Sequence, residues 1–272
     1  MMIGCRAHDY GSATAQEMAR RLKAHGWECG QIVVQKLLSS CPSLEAVSPA
    51  MCEDVYRAFT DLGLKTPLLG YYIQPSLPDK DARLVQVELF KKGLDNSLYL
   101  GGAYVGTETG DFPVDGPMEE RLPLFENLVD SFLRFAEHAE KIGAKIAVEP
   151  AAHHTLGTPE LVCELLERVD SDRLFIIYDS VNMLKKSVFA EQAAYWQKNL
   201  DAFGDRIVVC HIKDGDYQGD AFTECRLGQG KIDYGPLFSF LKAQKREIAV
   251  IREGTAPERG EEEREYLVKN LR

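Results

Sequence analysis

The chain has 272 residues, 45% of them hydrophobic, and a formal net charge of −10. That is enough chain for a large core or for one α/β barrel of about 250 residues, and the acidic balance argues against nucleic acid as the main partner, because phosphate binding needs a basic surface. No apolar stretch approaches the ~20 residues of a membrane helix, the start lacks the charged and long apolar regions of a signal peptide, and seven scattered cysteines without a CxxC pair suit a reducing cytoplasm.

Residues 2–9 read as a first strand, and a helical pattern over 13–25 is stopped by Gly26. A second strand is expected over 29–35. Ser48-Pro49 opens the next helix, with serine at the N-cap and proline at the first helical position. A third strand is placed at 68–74, a helix at 79–92 and a fourth strand at 97–106, across Gly101-Gly102. A loop rich in Gly, Pro and Asp covers 106–117. The longest helix is predicted over 119–142, where Leu128, Phe132, Phe135 and Ala139 recur at three- and four-residue steps.

The second half repeats one layout: Lys145-Ile-Ala-Val-Glu149, Leu174-Phe-Ile-Ile-Tyr-Asp179, Ile207-Val-Val-Cys-His-Ile-Lys-Asp214 and Ile248-Ala-Val-Ile-Arg-Glu253. Each is a continuous apolar run, the mark of a strand buried on both faces. Each carries an acid or a histidine at its C-terminal end. Helices are expected from Thr158-Pro159-Glu160, over 188–203, over 236–243 and over 261–271. Strands alternating with helices imply parallel pairing and right-handed crossovers, and eight such units close into a (β/α)8 barrel. A doubly wound open sheet is the competing fold. No linker, repeat or low-complexity stretch divides the chain, so residues 1–272 are read as one barrel domain.

In such a barrel the active site lies at the C-terminal ends of the strands. Glu149, Asp179, His211 and Glu253 would stand on four consecutive strand ends and converge in one bowl. Three carboxylates there would repel one another unless a cation sat among them. A set of three carboxylates and one imidazole is hard and oxygen-rich. It suits one divalent ion, Mn²⁺ or Mg²⁺ first, with Co²⁺ or Zn²⁺ as alternatives. A turn-capping role explains any one acid, but not an acid or histidine after every apolar run.

Val148-Glu149-Pro150, Tyr178-Asp179-Ser-Val-Asn182, His211-Ile-Lys-Asp214, Gly228-Gln-Gly230-Lys-Ile-Asp233 and Glu253-Gly254 together resemble the xylose isomerase-like TIM barrels, the sugar phosphate isomerase/epimerase group. The resemblance covers nearly the whole chain. It implies that Glu149, Asp179, His211 and Glu253 hold one divalent ion, and that Glu149 and Glu253 are the catalytic acid/base pair on either side of the substrate carbon. The implied reaction is isomerisation or epimerisation of a sugar or sugar phosphate through an enediolate. The same site serves an inosose- or dehydroshikimate-type dehydratase when a β-hydroxyl leaves instead. A non-catalytic metabolite-binding barrel is a third reading. The abasic-site endonucleases that share this barrel use a three-metal cluster with many His ligands, which six histidines and an acidic chain match poorly.

Other residues are candidates for a small carbohydrate substrate. Asn182 lies three after Asp179, where many ketose epimerases carry His; a turn cap explains it equally. His8 ends the first strand and would face the bowl. Of His153 and His154, His154 is expected to point inward. Arg226 precedes Gly228-x-Gly230 after the seventh strand, where barrels often bind phosphate, and would hold a phosphate or carboxylate. Glu108 reads as a solvated loop acid. Barrels of this kind often pair through helices or loops, so a homo-oligomer is among the expectations.

Overall fold

The structure, a computed structural model, describes residues 1–219 and 221–272. Seven strands come first: β1 (Met2–Arg6), β2 (Cys29–Ile32), β3 (Lys65–Gly70), β4 (Tyr104–Thr107), β5 (Lys145–Val148), β6 (Leu174–Asp179) and β7 (Ile207–Ile212). An antiparallel hairpin follows, β8 (Asp214–Gln218) with β9 (Ala221–Cys225), and then β10 (Ala249–Arg252). The barrel is closed in the order β1-β10-β7-β6-β5-β4-β3-β2, and its pairs are parallel. Closure leaves the ring without an exposed edge.

The helices are α1 (Ala15–Ala24), α2 (Val34–Leu37), α3 (Pro49–Thr60), α4 (Lys80–Ser97), α5 (Met118–Ile142), α6 (Pro159–Val169), α7 (Gln192–Phe203), α8 (Gly235–Ala243) and α9 (Gly260–Leu271). All but the single turn α2 complete a β/α unit of the barrel. The expected caps are present. Ser48 Oγ accepts Met51 N–H at 3.4 Å and Thr158 Oγ1 accepts Leu161 N–H at 3.3 Å, each before a proline at the first helical position. Among the described residues no helix is long and apolar enough to cross a membrane.

Two apolar layers hold the fold. Between strands and helices lie Trp27, Phe59, Phe90, Phe125, Phe132, Phe135, Trp196 and Phe203, all buried; a fully buried Phe contributes roughly 1.5–3 kcal/mol. Inside the barrel a smaller cluster holds Cys29, Leu68, Ala147, Ile177, Val209 and Ile251. Gly106 belongs to this interior, because a Cβ there would come 2.8 Å from Ile177 Cδ1 and 2.9 Å from Leu68 Cδ1. The last strand is tied to the last helix by a buried bidentate pair, Arg252 to both carboxylate oxygens of Glu263 at 3.0 Å.

Several boundaries differ from the sequence expectations. β1 stops at Arg6 and Ala7–Tyr10 form a 3-10 turn, so His8 lies past the strand end. β2 stops at Ile32 and the chain curls into α2. β3 covers Lys65–Gly70 rather than 68–74. Residues 97–100 are not strand: α4 runs on to Ser97, whose hydroxyl donates to Leu94 O at 2.7 Å, and a 3-10 turn Leu98–Leu100 follows. Gly101 and Gly102, at φ 72° and 71°, then turn the chain toward β4. α7 starts at Gln192 after a 3-10 turn, Lys186–Glu191.

Candidate metal centre and substrate pocket

Alternation along a strand sends every second side chain to the same face. On β5, β6, β7 and β10 the interior positions include Ala147, Ile177, Val209 and Ile251. Two residues farther along, the same face carries Glu149, Asp179, His211 and Glu253. Parallel pairing sets their level: Asp179 lies beside His211, Glu149 N–H donates to Thr107 O at 3.0 Å and Glu253 N–H to Ile212 O at 3.0 Å. One ligand-type atom from each of these four residues lies within 4.8 Å of the others. The group could hold a metal ion.

Its surroundings fit that use. His211 Nε2 is 2.8 Å from Gln31 Oε1, while Gln31 donates Nε2–H to the Tyr72 hydroxyl at 2.7 Å. The amide oxygen therefore faces the imidazole, which donates Nε2–H and turns Nδ1 toward the carboxylates. Nδ1 lies 3.4 Å from Glu149 Oε1 and 3.2 Å from Glu253 Oε2. Asp179 Oδ1 accepts the N–H groups of Val181 and Asn182, both at 2.9 Å. Its Oδ2 is buried, accepts no aligned hydrogen bond and faces Lys213 Nζ at 3.0 Å. A buried carboxylate oxygen is costly unless a positive charge faces it; Lys213 supplies one, and a metal ion would supply another.

Lys213 continues the inward face of β7 beyond His211. Its ammonium donates to Asn182 Oδ1 at 2.7 Å and reaches Glu253 Oε1 at 3.4 Å. Asn182 in turn donates Nδ2–H to Glu149 Oε1 at 2.8 Å. Arg6 closes the other side, donating to Glu253 Oε1 at 2.8 Å and to Asp9 Oδ1 at 3.1 Å; Asp9 Oδ2 also accepts Gly254 N–H at 2.8 Å.

The titrating groups respond to this crowding. Burial pushes the Asp179 carboxyl up to about 6, against the pull of Lys213 and with the push of Glu253 and Glu149. Burial opposes the charge of Glu253, yet His211, Lys213 and Arg6 hold its carboxyl well below the usual range. Burial would lower His211, but the carboxylates of Glu149 and Glu253 raise it to about 10. Lys213 stays protonated, because Asp179 and Glu253 outweigh its burial. Glu108 is pushed up to about 7 by burial and by the facing Glu149 and Glu253.

Two cavities open beside the cluster. One, about 350 Å³, is lined by Arg6, His8, Tyr72, Glu108, Glu149 and Glu253, with Gln35 and Lys36. The other, about 270 Å³, is lined by His153, Asn182, Lys213 and the hairpin residues Tyr217, Phe222 and Glu224, among others.

The expected site residues fall into two groups. His8 and Asn182 reach the cavities; burial, with Arg6 and Lys36 beside it, lowers His8 to about 4. Glu108 keeps solvent contact, as a loop acid would, but it also lines the first cavity. His153, not His154, lines the second cavity. His154 is buried beside it, its ring edge-on to His153 and its Nε2 3.5 Å from Asp111. Arg226 stands apart: it is exposed and pairs with Glu262 at 3.4 Å. The amides of Gly228 and Gly230 donate to Asp214 Oδ2 at 2.8 and 3.1 Å. The expected phosphate cradle is thus filled by a carboxylate of the chain itself. Gln31, Tyr72, Arg6 and Lys213 were not anticipated. Only Lys213 carried a signal, lying two residues past His211 on one strand face.

The barrel resembles solved structures along its whole length. An E. coli 3-keto-D-glucoside 4-epimerase in its apo form matches with TM-score 0.77 and 18% identity, over 99% of this chain and 98% of that one. An L-ribulose 3-epimerase matches with TM-score 0.75 and 16% identity, over 99% and 94%. The IOLI protein with a bound zinc atom matches with TM-score 0.74 and 20% identity, over 99% and 96%. No curated protein matches the sequence. Residues 7–270 match the family model described as xylose isomerase-like TIM barrel. With a closed ring of eight parallel strands that carries its acids and histidine at one end, the chain belongs to the xylose isomerase-like TIM barrel family.

Proposed function

We propose that the chain is a divalent-metal-dependent isomerase or epimerase of small sugars, with Glu149 and Glu253 exchanging a proton with a substrate carbon. One observation carries the reading: both glutamates line the same 350 Å³ cavity and also converge with Asp179 and His211 on a set that could hold a metal. Two of the solved structures it resembles are named as sugar epimerases, which supports the reaction class.

The residues divide the work. Glu149, Asp179, His211 and Glu253 hold one divalent ion, Mn²⁺ first among candidates for a donor set of three carboxylates and an imidazole. When bound, the ion supplies Lewis-acid stabilisation of negative charge on substrate oxygen. Glu253, kept ionised by His211, Lys213 and Arg6, is in the state a base requires. Glu149 is oriented by the Asn182 amide, itself held by Lys213. Removing a proton next to a substrate carbonyl leaves an enediolate. Return of the proton to the opposite face epimerises, and return to the adjacent carbon isomerises. His8 and His153 line the two cavities, which supports a role for them in holding the hydroxyls of the substrate.

The test is proton exchange in D₂O, followed by NMR with the Mn²⁺-loaded protein and a panel of keto sugars, their phosphates and inososes. Metal-dependent loss of a C–H signal next to the carbonyl is expected. An unsaturated product would move the assignment to a dehydratase, and no exchange with any member of the panel would reject the reaction.

A further inference from the structure

The loop after the hairpin, Gly228-Gln-Gly230-Lys-Ile-Asp233, has the makings of an anion nest: successive backbone N–H groups converge on one point. That point is the Asp214 carboxylate. Oδ2 accepts Gly228 N–H at 2.8 Å and Gly230 N–H at 3.1 Å, and Oδ1 accepts Gly215 N–H at 2.8 Å and Ile232 N–H at 3.4 Å. Asp214 is 2% exposed. In the region where barrels commonly seat a substrate phosphate, this chain seats its own side chain.

The cations nearby are committed in the same way. Arg6 binds Asp9 and Glu253, Lys213 binds Asp179 and Glu253, Lys231 binds Asp216 at 2.7 Å and Arg226 binds Glu262. A divalent ion together with Arg6 and Lys213 would balance Asp9, Glu149, Asp179 and Glu253, with Glu108 still facing the cavity. Among the groups around the metal set no positive excess is left for a phosphate dianion.

We infer that the substrate is an uncharged sugar, bearing neither phosphate nor carboxylate, because Asp214 occupies the anion nest and the two cations beside the metal set, Arg6 and Lys213, are paired with the chain's own acids. The inference deepens the proposed function and rests on it for the identity of the site. Two cations stand outside this pairing: Lys36 lines the mouth of the first cavity, 5.7 Å from the Tyr72 ring centroid, and Lys185 donates to the backbone oxygen of Val114 at 3.0 Å beside the second cavity.

The experiment uses calorimetry on the Mn²⁺-loaded full chain with non-reacting probes: a hexitol, its 1-phosphate and its 6-phosphate, at low and at physiological salt. The expected result is binding of the hexitol, with neither ester binding tighter and little dependence on salt. Lys36→Met, at the mouth of the cavity, and Arg226→Ala, on the surface, should leave the order unchanged. An ester that binds ten times tighter or more, and loses that margin in salt or in Lys36→Met, overturns the inference. Failure of the hexitol to bind overturns it too. The two readings separate cleanly. α-Proton exchange on a phosphate ester but not on the free sugar would reject the uncharged substrate and keep the reaction. Hexitol binding without exchange on any ketose would do the reverse.

Discussion

Lys213 Nζ stands 3.0 Å from Asp179 Oδ2, with both side chains almost wholly out of solvent. A tethered cation thus shields acids that also form the candidate metal set. Lys213→Met should destabilise the metal-free protein by roughly 3–5 kcal/mol, the cost of leaving a buried charge unpaired. Mn²⁺ should recover most of that loss by supplying the missing positive charge. Denaturant melts in EDTA and in Mn²⁺ measure both. Equal losses in the two conditions would mean that packing of the lysine stem, not its charge, is what the acids depend on.

Gln31 touches His211 from the far side, through Oε1 at 2.8 Å from Nε2. Its own amide is aimed by the Tyr72 hydroxyl. Gln31→Leu removes the group that fixes the imidazole's tautomer and should lower metal affinity roughly 10–100-fold. Affinity equal to the native protein would take Gln31 out of that role.

Glu149→Gln and Glu253→Gln keep the shape of each side chain and remove its proton chemistry. Either change should cut α-proton exchange by roughly 10²–10⁴-fold, with circular dichroism unchanged. Retained exchange in one of them would remove that glutamate from the acid/base pair. Loss of bound metal, read by elemental analysis, distinguishes a ligand effect from a proton-transfer effect.

Metal binding should release protons. His211, raised to about 10 by Glu149 and Glu253 against its burial, is protonated in the metal-free protein at neutral pH. Nδ1 must give up that proton to become a ligand. Affinity for Mn²⁺ should therefore fall roughly tenfold per unit as pH drops below 10. Below about 6 the fall should steepen, because Asp179 then also carries a proton. For the metal-free fold the sign is opposite: the pairing of His211 adds stability that is full below its ordinary 6.5 and is lost as pH rises through about 10. Calorimetry in buffers of different ionisation enthalpy counts the protons, and a pH-independent affinity would reject the scheme.

The second half of the barrel was the legible half. There each strand is largely apolar on both faces, and the inward residue at its C-terminal end is one of the four that converge. The first half was harder because its apolar residues do not stop at element ends. Leu98 and Tyr99 continue the apolar pattern beyond α4, yet are 45% and 49% exposed, so a run that reads as strand is a surface turn. The hairpin was invisible for the opposite reason: Asp214-Gly-Asp-Tyr-Gln is buried only at its polar root and Ala221-Phe-Thr-Glu-Cys is exposed or half-buried throughout, so neither carries an apolar pattern. Gln31 and Tyr72 become meaningful only when the ring closes and brings β2 and the end of β3 across from β7. Arg226 misled because a glycine pair beside an arginine looks the same whether its amides await an anion or already hold one.

The hairpin Asp214–Cys225 lies outside the barrel's ladder, as its own two-stranded sheet, yet Tyr217, Phe222 and Glu224 wall the second cavity. Its root is clamped by Asp214 and by the Tyr234 hydroxyl, which accepts Lys213 N–H at 3.1 Å. Under the proposed function, part of the wall that would select a substrate and the groups that would react with it sit on separate pieces of chain. A change of length or sequence in the ribbon would then alter the second cavity while the strands that carry Glu149, Asp179, His211 and Glu253 keep their register.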